Sequence, residues 1–196
     1  MDKFTKVVKV QDKAQVSEEK EIVYENEHMK VKTVNGWSYV IESDRIVVLP
    51  YVKEEGYVFL RSEVVPPWSD KYKGKELGKS TQFLTVISGT IDDGETPEQT
   101  LRRELYEEAG IALNQFYNFD ISGPFFESKG NTSQFYVCLM ELSYTDYKMV
   151  APPGDGSEYE KVAKTLRVSI SDLDEIKIND MATRLLVDKL KHEYNL

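Results

Sequence analysis

Hydrophobic and polar positions alternate in short runs through the first part of the chain. Across 7–37 the runs VVKV, EIVYEN and MKVKTV set charged residues against apolar ones, and Asn35-Gly36 is a hairpin-type turn before WSYVIE. This pattern predicts a small antiparallel sheet. RIVVLPYV and GYVFLRSEVV follow, two β-branched and aromatic runs separated by KEEG, which read as two strands joined by a turn. PPWSDKYKGKELGKS, at 66–80, lacks periodicity and reads as an exposed loop bordering a site. TQFLTVIS reads as a strand, as do FFES and QFYVCLMEL on either side of KGNT, and TLRVSI after a loop at 149–161. NDMATRLLVDKLKHEY puts Met181, Leu185, Leu186 and Leu190 on one stripe of a docking helix. Strands outnumber helices, and the predicted class is mixed α+β.

One further helix carries its own punctuation. Thr96 is suited to cap it, Pro97 suits its first position, and Gln99 completes a capping box. Gly110 supplies a left-handed stop. At about 100° per residue, Leu101, Leu105 and Ala109 form an apolar stripe, and Glu104, Glu107 and Glu108 share an adjoining face.

Composition narrows the chemistry. The chain has 196 residues, 40% of them hydrophobic, enough for one domain with an appendage. Its 34 acidic and 25 basic residues leave a net charge of −9, which does not support coating a nucleic acid. The first ten residues hold no signal-peptide core and no later segment approaches a membrane span, so no membrane partner is expected and the expected location is cytoplasmic. Cys138, inside FYVCLM, reads as a buried strand thiol, and His28 and His192 have no second ligand nearby in sequence.

A run of charge is ordinarily a solvated face. Here the acids lie toward the helix C-terminus, where the macrodipole disfavours them, and they abut the apolar stripe. Both placements cost stability unless a cation sits among them. A cage of carboxylates that leaves room for water and phosphate oxygens suits a hard divalent ion, Mg²⁺ above all, with Mn²⁺ as the alternative.

The stretch GTIDDGETPEQTLRRELYEEAGI resembles the Nudix box, G-x5-E-x7-R-E-U-x-E-E-x-G-U with U a bulky aliphatic residue. It matches at Gly89, Glu95, Arg103, Glu104, Leu105, Glu107, Glu108, Gly110 and Ile111. At average residue usage such a match at one start point has a chance on the order of 10⁻⁹. The resemblance implies an α/β/α sandwich over 45–196, preceded by a sheet at 1–44, and hydrolysis of a nucleoside diphosphate linked to another group. It implies Glu104, Glu107 and Glu108 as Mg²⁺ ligands, with the backbone carbonyl of Ser88 or Gly89 as a further ligand. Arg103 is implied as an orienting partner of Glu95. For the base that takes the proton of the attacking water, the candidates are Glu158 and Glu160 of the GDGSEYEK loop, or Glu107 or Glu108 themselves.

Outside the box, several segments are similar to the ADP-ribose and ADP-sugar pyrophosphatase branch: IVYENEHMKVKTVNGWSYV with RIVVLPYV, the PP after VFLRSEVV, Pro124, and IKINDMATRLLVDKL. That likeness implies a homodimer built through the 1–44 sheet, with Trp37, backed by Tyr39, stacking on the base, and Arg61 at the substrate. The chain departs from the branch in two places. Ser62, Glu63, Val64 and Val65 stand where arginines are usual, leaving Arg61 displaced, and Thr85-Val86-Ile87-Ser88 replaces the usual lead into the box. The implied substrate is ADP-ribose or an ADP-sugar. Alternatives are a GDP-sugar, a dinucleotide, an oxidised nucleoside triphosphate, or nucleotide binding without cleavage.

Overall fold

The computed structural model describes residues 21–26, 29–65, 67–68, 82–114, 119–154 and 159–194. The predicted N-terminal sheet is present in its described part. Strands β1 (Glu21–Glu25), β2 (Lys30–Val34) and β3 (Trp37–Ile41) pair antiparallel in order. Asn35 and Gly36 both take positive φ, 49° and 77°, the backbone a tight hairpin needs. The part of the predicted sheet before residue 21 lies outside the described residues.

The main sheet runs β12-β5-β4-β10-β9, with β6 pairing β5 and β7 pairing β4. Its strands are β4 (Arg45–Val52), β5 (Tyr57–Val64), β6 (Gln82–Thr85), β7 (Ile87–Thr90), β9 (Ile121–Phe126), β10 (Gln134–Glu141) and β12 (Lys164–Ser169). β10 lies parallel to β4, and the other pairings are antiparallel, so the sheet is mixed.

β4 is buried from Ile46 onward because both faces of the sheet are covered. Ile46, Val48 and Val52 meet Leu101, Leu105 and Ala109 on one side, and Val47, Leu49 and Tyr51 meet Leu186, Val187 and Leu190 on the other. The first group belongs to helix α1 (Pro97–Glu107) and the turn that ends it, the second to helix α2 (Met181–Tyr194). The period of two in the strands divides the core into two layers, giving the α/β/α sandwich. Cys138 is fully buried as expected, and burial pushes its thiol up to about 12.

Three details differ from the sequence reading. TQFLTVIS is split at Val86 into β6 and β7. A short pair of strands, β8 (Ile111–Leu113) and β11 (Tyr147–Met149), was not predicted, since three-residue strands show no readable alternation. The stripe of α2 is rotated: Thr183, Leu186, Val187 and Leu190 face inward, while Met181 and Leu185 are exposed. Hydrogen bonding sets this rotation. The Asp180 carboxylate accepts from the Thr183 amide (2.7 Å) and hydroxyl (2.5 Å), and the same hydroxyl accepts from the Val86 amide (2.9 Å), which draws Thr183 into the core.

Leu105 is fully buried at the centre of the α1 layer. Replacing it with Ala is expected to lower stability by about 2–5 kcal/mol in urea unfolding. A loss below about 1 kcal/mol would show that the α1 layer is not packed as described.

Candidate active site

Helix α1 begins as its sequence dictates. The Thr96 hydroxyl accepts from the Gln99 amide (3.3 Å) and the Gln99 side chain accepts from the Thr96 amide (2.8 Å), a complete capping box, with Pro97 at the first helical position. At the far end, Gly110 has φ 65°, and a Cβ there would overlap the Val150 carbonyl. That close approach lets segment 149–154 dock on the helix terminus: the Val150 amide donates to the Gly110 carbonyl (2.8 Å) and the Gly154 amide to the Glu107 carbonyl (3.1 Å).

The three carboxylates of this helix are graded in exposure. The side chain of Glu104 is 10% exposed, that of Glu108 21% and that of Glu107 43%. Glu104 lies against Gly89 of β7 so closely that any Cβ at position 89 would occupy its space, which explains why the strand carries glycine there. Burial pushes the Glu104 carboxyl up to about 7 from its ordinary 4.5, against the pull of the neighbouring Arg103.

Two guanidinium groups meet the ridge. Arg103 binds Glu95 in fork fashion, Nε to Oε1 at 3.2 Å and Nη2 to Oε2 at 2.9 Å. Its Nη1 reaches Glu104 Oε1 at 2.6 Å and Glu107 Oε2 at 3.5 Å, and its Nη2 donates to the Thr90 carbonyl at 3.1 Å. Hydrogen bonds from Arg103 and Thr100 hold Glu95 down at about 2. Arg61 donates through Nη1 to the Glu108 carbonyl at the helix end, with Nε 3.8 Å from Glu108 Oε2.

The structure therefore brings Arg103, Glu95, Glu104, Glu107, Glu108 and Gly89 together, and places Ser88 beside them on β7. Among the described residues, no three His, Cys, Asp or Glu side chains converge on one point as metal ligands would. Glu104 and Glu107 are turned onto Arg103, and Glu108 faces Arg61. Arg61, implied at the substrate, lies at the end of α1. It is 4% exposed and packed against the end of α1, because its strand position faces the helix layer together with Phe59.

Trp37 is 62% exposed and Tyr39 half-buried on β3. That strand meets the main body through the Val40–Asn131 bridge. Neither aromatic is among the described residues lining the nearby cleft of about 200 Å³, which is walled by Arg45, Glu63, Trp68, Thr85, Ser88 and Met181, among others. Glu158 lies outside the described residues. Glu160 opens a 3₁₀ turn, Glu160–Val162, and only its backbone is described.

Sequence reasoning missed Glu63, Thr85 and Trp68. Glu63 Oε1 accepts from the Thr85 hydroxyl at 2.6 Å, and Trp68 packs edge-on against Phe83 with ring centroids 5.3 Å apart. The available signal was the pair Arg61 and Glu63, opposite charges two positions apart and so on one face of a largely apolar strand.

A family model described as the NUDIX domain matches residues 45–186. The RNA pyrophosphohydrolase of Brucella abortus (strain 2308) is 26% identical over 121 residues, 55% of this chain and 65% of that protein. The protein of the same name from Brucella ovis is 28% identical over 121 residues. That of Aliivibrio fischeri (strain MJ11) is 69% identical over 26 residues, 13% of this chain and 15% of its own. The chain thus spans 65% of the length of the Brucella relatives. Among solved structures, the crystal structure of an ADP compounds hydrolase has a TM-score of 0.58 and 19% identity, covering 90% of this chain and 91% of that one, a likeness of fold.

The two shifted carboxyls predict opposite pH limbs. Glu95, depressed to about 2, stabilises the fold above pH 4.5, and that contribution is lost as pH falls toward 2. Glu104, raised to about 7, is neutral in the fold at low pH, so stability is lost as pH rises from 4.5 through 7. In EDTA the melting temperature is expected to fall across that upper window, and Glu104→Gln should flatten the decline. An identical slope in the variant would refute the assignment.

Proposed function

We propose, from the premise that this chain belongs to the NUDIX domain family, that it is a Mg²⁺-dependent pyrophosphohydrolase. Its proposed substrate is a nucleoside diphosphate linked to another moiety, ADP-ribose or an ADP-sugar first, giving a nucleoside monophosphate and a sugar phosphate. The observation that carries the reading is the acidic edge of α1: Glu104 lies against Gly89, Arg103 ties Glu104 and Glu107 to Glu95 of the box loop, and Glu108 follows at the helix end beside Arg61.

The donor set fits a hard divalent ion. It consists of oxygen only, and it includes a carboxyl that burial keeps near neutrality until a cation compensates it. Glu104, Glu107 and Glu108, with the Ser88 or Gly89 carbonyl, are the groups that would hold the ion, which when bound neutralises the diphosphate and acidifies an attacking water. Arg103 keeps Glu95 and the loop after β7 against the helix, so the ridge stays aligned with the strand that carries Ser88 and Gly89.

Proton removal from the water is assigned to Glu158 or Glu160. Support comes from the docking of segment 149–154 on the end of α1, where the Gly154 amide donates to the Glu107 carbonyl. Glu107, the most exposed of the three, is the alternative base. The N-terminal sheet is proposed to join a second copy of the chain. Ile22, Val23, Tyr24 and Trp37 are exposed on it, and pairing would bring Trp37 and Tyr39 toward the partner's substrate.

The structural likeness to an ADP compounds hydrolase is one of fold, and the ADP-linked reading rests on the resemblance of the segments outside the box. The sequence likeness to RNA pyrophosphohydrolases favours a second reading, removal of pyrophosphate from a 5′-triphosphate end. A net charge of −9 weighs against gripping a long polyanion.

Incubation with Mg²⁺ and a panel of ADP-ribose, GDP-mannose, diadenosine polyphosphate, nucleoside triphosphates and 5′-triphosphorylated RNA should yield products from ADP-ribose first. Cleavage confined to triphosphates or RNA would sink the ADP-linked reading. Glu107→Gln and Glu108→Gln are each expected to lower kcat by about 10²-fold or more, whereas a nucleotide sensor would show no turnover to lose. Light scattering should give the mass of two chains.

A further inference from the structure

A buried guanidinium is costly unless its donors are satisfied. Arg61 is 4% exposed, and its Nη1 is used on the Glu108 carbonyl. Its Nε, however, lies 3.7 Å from Glu63 Oε2 and 3.8 Å from Glu108 Oε2, and makes a hydrogen bond to neither. Glu63 is held in place from the other side by the Thr85 hydroxyl at 2.6 Å. In register with Arg61 on the neighbouring strand, Thr165 also keeps a buried hydroxyl without a hydrogen-bond partner. A charged donor midway between two carboxylates is balanced: a shift of a few tenths of an ångström closes it on one and releases the other.

We propose that Glu63 is a positioning residue that governs how readily Glu108 engages a divalent cation, by taking the Arg61 guanidinium when Glu108 turns to the ion. This rests on the preceding reading of the α1 carboxylates as ligands. With Glu63 in place, Arg61 keeps a partner in both arrangements. Without it, a cation arriving at Glu108 must break the one carboxylate contact left to this buried positive charge among the described residues and then sit beside that charge. The strand position where the resembled branch carries arginine thus holds an acid with a task of its own. The anchoring Thr85 hydroxyl gives the acid the fixed geometry such an exchange needs.

The test is Mn²⁺ binding to the full chain, followed by the electron paramagnetic resonance signal of free Mn²⁺. Glu63→Gln is expected to raise the Mn²⁺ dissociation constant about tenfold, and Thr85→Val, which frees the same carboxylate from its anchor, about threefold. In an Arg61→Gln background the effect of Glu63→Gln should shrink to less than about twofold, because the residue through which it acts is gone. Unchanged Mn²⁺ affinity in both single variants overturns the proposal. So does a Glu63→Gln effect that persists in full without Arg61, which would make Glu63 a plain source of field. If one single variant does not fold, the other carries the same test. Failure of the wild-type chain to bind Mn²⁺ would overturn the metal reading itself, whereas binding indifferent to Glu63 overturns only the exchange.

Discussion

The site depends on one arginine. Arg103 ties Glu95 of the loop, the Thr90 carbonyl of the strand and two carboxylates of its own helix to a single guanidinium. Each of those acids would otherwise destabilise the arrangement: Glu104 is desolvated, and Glu107 sits on the last turn, where the helix dipole opposes negative charge. The planar fork satisfies several oxygens at once, which a lysine ammonium at the same place would not do with fixed geometry. In this arrangement the guanidinium meets the same demand for positive charge that a divalent ion meets in the proposed loaded state. Arg103 therefore stabilises the ridge and holds the same oxygens that are proposed to bind the ion.

The C-terminal end of α1 links this charge arrangement to the rest of the fold. Its last carbonyls are met by the Gly154 amide and Arg61, and the Gly110 carbonyl just past the helix by the Val150 amide. The helix end, the segment leading to Glu158 and Glu160, and the central strand β5 are thereby fixed relative to one another. Only glycine at 110 allows this, since a side chain there would strike the Val150 carbonyl. A helix terminus usually left to solvent is here the junction between the side chains proposed as ligands and the loop proposed to carry the base.

Membership in the family fixes the scaffold on which phosphoanhydride chemistry is proposed, and the choice of substrate lies elsewhere. The two likenesses diverge in what they suggest: the fold-level one is to an ADP compounds hydrolase, the sequence-level one to RNA pyrophosphohydrolases. The residues that differ from the ADP-sugar pattern, Glu63 and Thr85, are those that wall the cleft beside Ser88 and contact one another. The same strand positions that line this cleft also carry the charge facing Arg61.

Much was legible in the sequence because it is local. Capping at Thr96 and Gln99, the stop at Gly110, the hairpin at Asn35-Gly36, and the β-branched and aromatic runs of β4 and β5 each follow from a few adjacent residues, and so does the ridge of Glu104, Glu107 and Glu108, whereas the pairing of Arg103 with Glu95 was implied by the resemblance to the Nudix box. The tertiary structure decided what those local patterns leave open. Which face of α2 points inward was settled by a hydroxyl contacting Val86, 97 residues away, and Arg61 was drawn to Glu108 across 47 residues. Periodicity records which residues avoid water. It carries no record of which charge faces which, because that is fixed only when distant strands and helix ends meet in a medium too apolar to leave either unpaired.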